Sequence, residues 1–94
     1  MANQTTEMLA RVTGQVQGVN FRAWAQSTAE SLGLAGWVKN EHDGSVTALL
    51  SGPEPKVLAM VDAMWEGPAA AAVANVATEK PDHRENPEGF RIAD

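Results

Sequence analysis

The 94-residue sequence contains no cysteine and no tyrosine. Without cysteine there is no disulfide scaffold, no thiolate metal site and no cysteine nucleophile, and nothing in the chain calls for an oxidising compartment; a cytoplasmic location is the expectation. Aromatic residues are few, three tryptophans and two phenylalanines, and seven Lys and Arg face twelve Asp and Glu for a formal charge of −5. A nucleic-acid partner would want a basic face, because phosphate neutralisation supplies most of that affinity. An RNA-reading sheet would also want aromatic residues on its strands, and here most of the five fall on helix-like stretches. No apolar run approaches the length of a membrane span. The polar start, Met1-Ala2-Asn3-Gln4-Thr5-Thr6-Glu7, has neither the basic opening nor the apolar stretch of a signal peptide. It reads as a disordered tail over residues 1–7, ahead of one domain over residues 8–94.

What is present is the composition of an ordinary globular domain, 44% hydrophobic and 20% charged. Met8 to Thr13 alternates, with Met8, Ala10 and Val12 on one face, which predicts a half-buried strand. Gly14 to Asn20 is a loop with glycine at Gly14 and Gly18. From Phe21 to Leu32 the residues Phe21, Trp24, Ala25, Thr28, Ala29 and Leu32 recur at helical spacing, and Gly33 stands where a helix C′ residue belongs. Leu34 to Glu41 and Val46 to Ser51 read as strands around an Asp43-Gly44 turn. Pro53-Glu54-Pro55 opens a second helix, with Val57, Leu58, Val61, Met64 and Trp65 as its expected buried stripe and Gly67-Pro68 as its end. Residues 71–78 form an alanine- and valine-rich strand, Pro81 to Gly89 a polar loop, and Phe90 to Ala93 a short last strand. The order β-α-β-β-α-β predicts an α+β, ferredoxin-like α/β sandwich: an antiparallel sheet in strand order 4-1-3-2, both helices on one face, and the other face left to solvent.

Two places carry chemistry. A glycine-bounded loop leading into a helix can turn its backbone N–H groups into an anion nest, and the helix N-terminus adds donors and partial positive charge. Arg22 sits in the first helical turn, where a cation opposes the macrodipole by up to about 1 kcal/mol. That placement is locally poor unless an anion is expected, and a guanidinium can grip two phosphate oxygens at once. A surface arginine after a tight turn is the plainer alternative. Asn40 ends the second strand with the parity of Gly36 and Val38, not of Lys39 and Glu41. Its uncharged amide suits the orienting of a water beside an anion; a turn asparagine is the plainer alternative. His42 and His83 lie in a turn and a polar loop and read as solvated. No serine has a partner histidine at recognisable spacing.

The run Gly14-Gln15-Val16-Gln17-Gly18-Val19-Asn20-Phe21-Arg22 resembles the first acylphosphatase signature. Gly36-Trp37-Val38-Lys39-Asn40 followed by Asp43-Gly44-Ser45-Val46 resembles the second. Leu32-Gly33-Leu34, Gly52, Gly67-Pro68 and Phe90-x-Ile92 are also similar to that family, and the likeness covers residues 8–93. It implies hydrolysis of acyl phosphates to carboxylate and inorganic phosphate, with the backbone amides of Gln15, Val16, Gln17, Gly18, Val19 and Asn20 cradling the phosphate. It further implies that Arg22 binds and stabilises that phosphate and that Asn40 orients the attacking water. No metal or cofactor is implied; the partner is a small-molecule substrate, and a monomer is expected. Many members of the family carry arginine where this chain has Gln15, and tyrosines are common in it. A non-catalytic, anion-binding or regulatory module of the same fold is the alternative.

Overall fold

The computed structural model describes residues 5–93. Its elements are β1 (Thr5–Gln15), α1 (Phe21–Ser31), β2 (Ala35–Asn40), β3 (Val46–Pro53), α2 (Glu54–Glu66), β4 (Ala72–Glu79) and β5 (Phe90–Ile92). The strand order is β4-β1-β3-β2-β5, so the expected 4-1-3-2 core is present with β5 added beside β2. The sheet is mixed, not wholly antiparallel as expected, because β5 runs parallel to β2. The chain leaves β4 at one edge and returns through residues 80–89 to the opposite edge.

The helix-facing side of the sheet follows the alternation. Ala10, Val12, Val38, Val46, Ala48 and Leu50 are fully buried there against Phe21, Ala25 and Ala29 of α1 and Val57, Met60 and Met64 of α2. Phe21 and Trp24 stack tilted at 5.2 Å, and Trp24 packs on the core as expected. The end of α1 closes in a Schellman motif, with Gly33 N–H donating to the Glu30 carbonyl at 3.0 Å and Leu34 N–H to the Ala29 carbonyl at 2.9 Å.

Three expectations are corrected. The tail is not unstructured up to residue 7: Thr5–Glu7 pair with Pro53–Ser51 as the start of β1, while residues 1–4 of that tail lie outside the described residues, as does Asp94. Leu58 and Trp65 are each 47% exposed. They stand one position, about 100° of helix rotation, round from the buried Val57 and Met64, so they fall outside the stripe. Lastly, the second sheet face is not left to solvent. Leu49, Glu7 and Ser51 are buried on it, with Leu49 flanked by Leu9 and Trp37 across the strands. The loop over residues 81–89 reaches this face: Glu85 N–H and Asn86 N–H both donate to the Glu7 carboxylate at 2.9 Å, and Trp37 Nε1 donates to Glu85 Oε1 at 3.0 Å. Trp37 therefore packs on the far face, half-buried, with Lys39 Nζ 5.4 Å from its ring centroid.

Candidate active site

Three elements meet at one end of the sandwich. The β1–β3 ladder ends at Val12 and Val46, while β1 runs on beside β4 through an irregularity between Thr13 and Gly14. The chain then turns through Val16–Asn20 into α1. Gly18 has φ +73°, and the position a Cβ would take there is open, with nothing within 4 Å. A side chain would be strained there, whereas glycine leaves the loop backbone approachable by a ligand. Asn20 is left-handed as well (φ 65°) and forms the N-cap of α1 without a side-chain cap hydrogen bond. The first turn of α1 carries no acidic residue, in contrast to α2, whose first turn has Glu54. No acidic residue of that turn itself offsets the positive end of the α1 dipole.

A cleft of about 410 Å³ opens at this point, lined by Val16, Gly18, Asn20, Phe21, Arg22, Ala23, Asn40 and Ile92. Arg22 and Asn40, eighteen residues apart in sequence, thus share one cavity. The parity read for Asn40 is the observed one: it pairs with Val46 on the helix-facing side of the sheet. Its Oδ1 is buried and accepts no hydrogen bond from the described residues. A buried amide oxygen without a donor costs roughly 1–3 kcal/mol, which makes Asn40 a locally costly choice at a strand end that lines the cleft.

The other residues of the expected cradle are placed differently from one another. Val16, Gly18 and Asn20 line the cleft. Gln15 is exposed at the end of β1, paired with Ala72, and is not among the lining residues. Val19 packs against the core. Gln17 turns its side chain away to the β2–β3 turn, donating to the carbonyls of Glu41 and Ser45. Beside Ala23, the lining residue given no part in the expected site is Ile92. It arrives from β5, 39% exposed, through a parallel pairing with Val38 that no local signal announces. Both histidines are exposed, as expected.

Against known proteins, the acylphosphatase family model matches residues 8–92. An acylphosphatase of Rhizobium meliloti is 53% identical over 92 residues, covering 98% of this chain and 97% of its own. Among solved structures, an acylphosphatase from Coxiella burnetii superposes with TM-score 0.89 at 38% identity, covering 95% of this chain and 93% of that one. An acylphosphatase from Bacillus subtilis does so with TM-score 0.89 at 34% identity, covering 96% and 99%. The cleft that joins Arg22 to Asn40 thus sits on a fold and a sequence shared along essentially the whole length of these proteins: the chain is an enzyme of the acylphosphatase family.

Proposed function

We propose that the chain hydrolyses the carboxyl–phosphate bond of small acyl phosphates with the Arg22–Asn40 cleft as its active site. The meeting of Arg22 and Asn40 in one cleft at the N-terminus of α1 is the observation that carries this reading. In it, the phosphoryl group rests at the N-terminus of α1, held by Arg22 and by backbone N–H groups of the Val16–Asn20 loop. Gln15, in the β1–β4 ladder, stands outside that cradle. A water held by the side-chain amide of Asn40 has its lone pair aimed at phosphorus. The P–O bond to the carboxylate breaks as the bond to water forms, and carboxylate and inorganic phosphate leave. The carboxylate is a good leaving group, so little general-acid help is required. The transition state is loose, and Arg22 stabilises charge spread over the transferring oxygens. Fixing the water removes part of the entropic barrier.

The reading extends to a monomer acting in the cytoplasm without a metal, a cofactor or nucleic acid. Among the described residues no helix is long and apolar enough to cross a membrane, and the charge of −5 opposes a polyanionic partner. The test is hydrolysis of benzoyl phosphate in the presence of a chelator. Turnover well above the uncatalysed rate is expected. Phosphate binding without turnover would assign the cleft to an anion-binding module instead.

A further inference from the structure

Gln17 lies inside the loop, yet its side chain does not line the cleft. Its amide nitrogen donates to the Glu41 carbonyl at 2.8 Å and to the Ser45 carbonyl at 2.9 Å. Those two carbonyls also close the β2–β3 turn: Glu41 N–H donates to the Ser45 oxygen at 2.8 Å, and Gly44 N–H to the Glu41 oxygen at 3.2 Å. A carbonyl oxygen has two lone pairs and an amide nitrogen two hydrogens. Gln17 therefore makes a second bond to each carbonyl and spends both of its donors. The residue directly before Glu41 is Asn40. Because the β1–β3 ladder stops at Val12 and Val46, the loop that follows β1 is not fixed to the hairpin by that ladder. The Gln17 bonds carry the connection on.

We infer that Gln17 is a positioning residue: it holds the phosphate-cradling loop at a set distance from the strand end that bears Asn40, and so sets the alignment of water against phosphorus. This rests on the reading of Asn40 as the residue that orients water. The residue type fits the task. The position demands two donors aimed at two carbonyls and offers no donor in return. Glutamate would set a carboxylate against two carbonyl oxygens, and methionine would fill the space without bonding. Gln17 touches no reacting atom, so its effect should appear in the rate of the aligned step and not in the grip on phosphate. Misplacement by about 1 Å can cost on the order of 10²-fold in rate.

The experiment compares wild type, Gln17→Met, Asn40→Ala and the double variant in benzoyl phosphate hydrolysis, with inhibition by inorganic phosphate as the readout of the cradle. Gln17→Glu serves as a second, near-isosteric variant without donors, and circular dichroism confirms that each is folded. Expected is a fall in kcat of about 10–10²-fold for Gln17→Met, phosphate inhibition within about two-fold of wild type, and no further kcat loss when Gln17→Met is added to Asn40→Ala. Three results overturn the inference while leaving Asn40 in its role: unchanged kcat in both Gln17 variants, phosphate affinity falling in step with kcat/KM, or an equal kcat loss in both backgrounds. If Asn40→Ala itself keeps wild-type kcat, the reading of Asn40 fails and the inference falls with it.

Discussion

Arg22 is a cation in the first turn of a helix, where the dipole disfavours it. The same turn has no acidic residue and no side-chain cap, and the cleft beside it is lined by Val16, Gly18 and Asn20 of the loop. On the proposed reading the phosphoryl group of the substrate binds at this helix end. In that reading the phosphate contact persists from ground state to transition state, so truncation of Arg22 should damage binding and catalysis together. For Arg22→Ala we expect a higher KM, a lower kcat and a loss in kcat/KM of about 10³-fold or more, measured by steady-state kinetics. A change in KM alone would limit Arg22 to substrate binding. At this scale the sequence was legible where spacing is local: the loop and Arg22 are neighbours along the chain, and Asn40 declared its face by the parity of its strand. Gln17 and Ile92 were not, because their partners lie across the fold, in the β2–β3 turn and in the pairing of β5 with β2.

At the scale of elements, the order of strands and helices was legible from alternation, helical spacing and glycine- and proline-marked turns. What escaped was set by pairing between distant segments. Thr5–Glu7 show no apolar alternation; they are strand because β3 extends to Pro53 and pairs with them. Leu58 and Trp65 are apolar but lie off the axis along which α2 meets the sheet. β2, which delivers Asn40, depends on a close approach that only glycine allows. Gly36 has φ +144°, and a Cβ there would lie 1.8 Å from the Leu49 carbonyl oxygen of the neighbouring strand. Backbone on backbone cannot give way cheaply. Gly36→Ala should cost about 3–5 kcal/mol of unfolding free energy in urea titration. A cost under about 1 kcal/mol would show that β2 can shift against β3.

For the whole molecule, the far face of the sheet ties the 81–89 return to the first strand through a buried carboxylate. Burial alone would raise the pKa of Glu7. The N–H donors of Glu85 and Asn86, the charge of Arg84 and the Ser51 hydroxyl outweigh it and hold the carboxyl below its usual range. The folded pKa being depressed, Glu7 stabilises the fold above the ordinary glutamate range, and that contribution is lost as pH falls from there through the folded value. Asp43, held low first by the Ser45 hydroxyl and N–H and then by Arg11, adds acid sensitivity of the same sign at the surface. Glu7→Gln isolates the buried part. At neutral pH the variant should be less stable by about 1–3 kcal/mol, and the gap to wild type should narrow in acid. A pH-independent gap in urea titrations would place the effect in packing and not in charge.

The site joins a loop after the first strand to the end of the second, and the central proposal is that the side-chain amide of Asn40 orients the water. The most direct measurement is the kinetics of benzoyl phosphate hydrolysis by Asn40→Ala, with inhibition by inorganic phosphate measured alongside. The predicted result is a fall in kcat of about 10²–10³-fold with phosphate affinity within a few-fold of wild type. Near-normal kcat in a folded Asn40→Ala enzyme would contradict it.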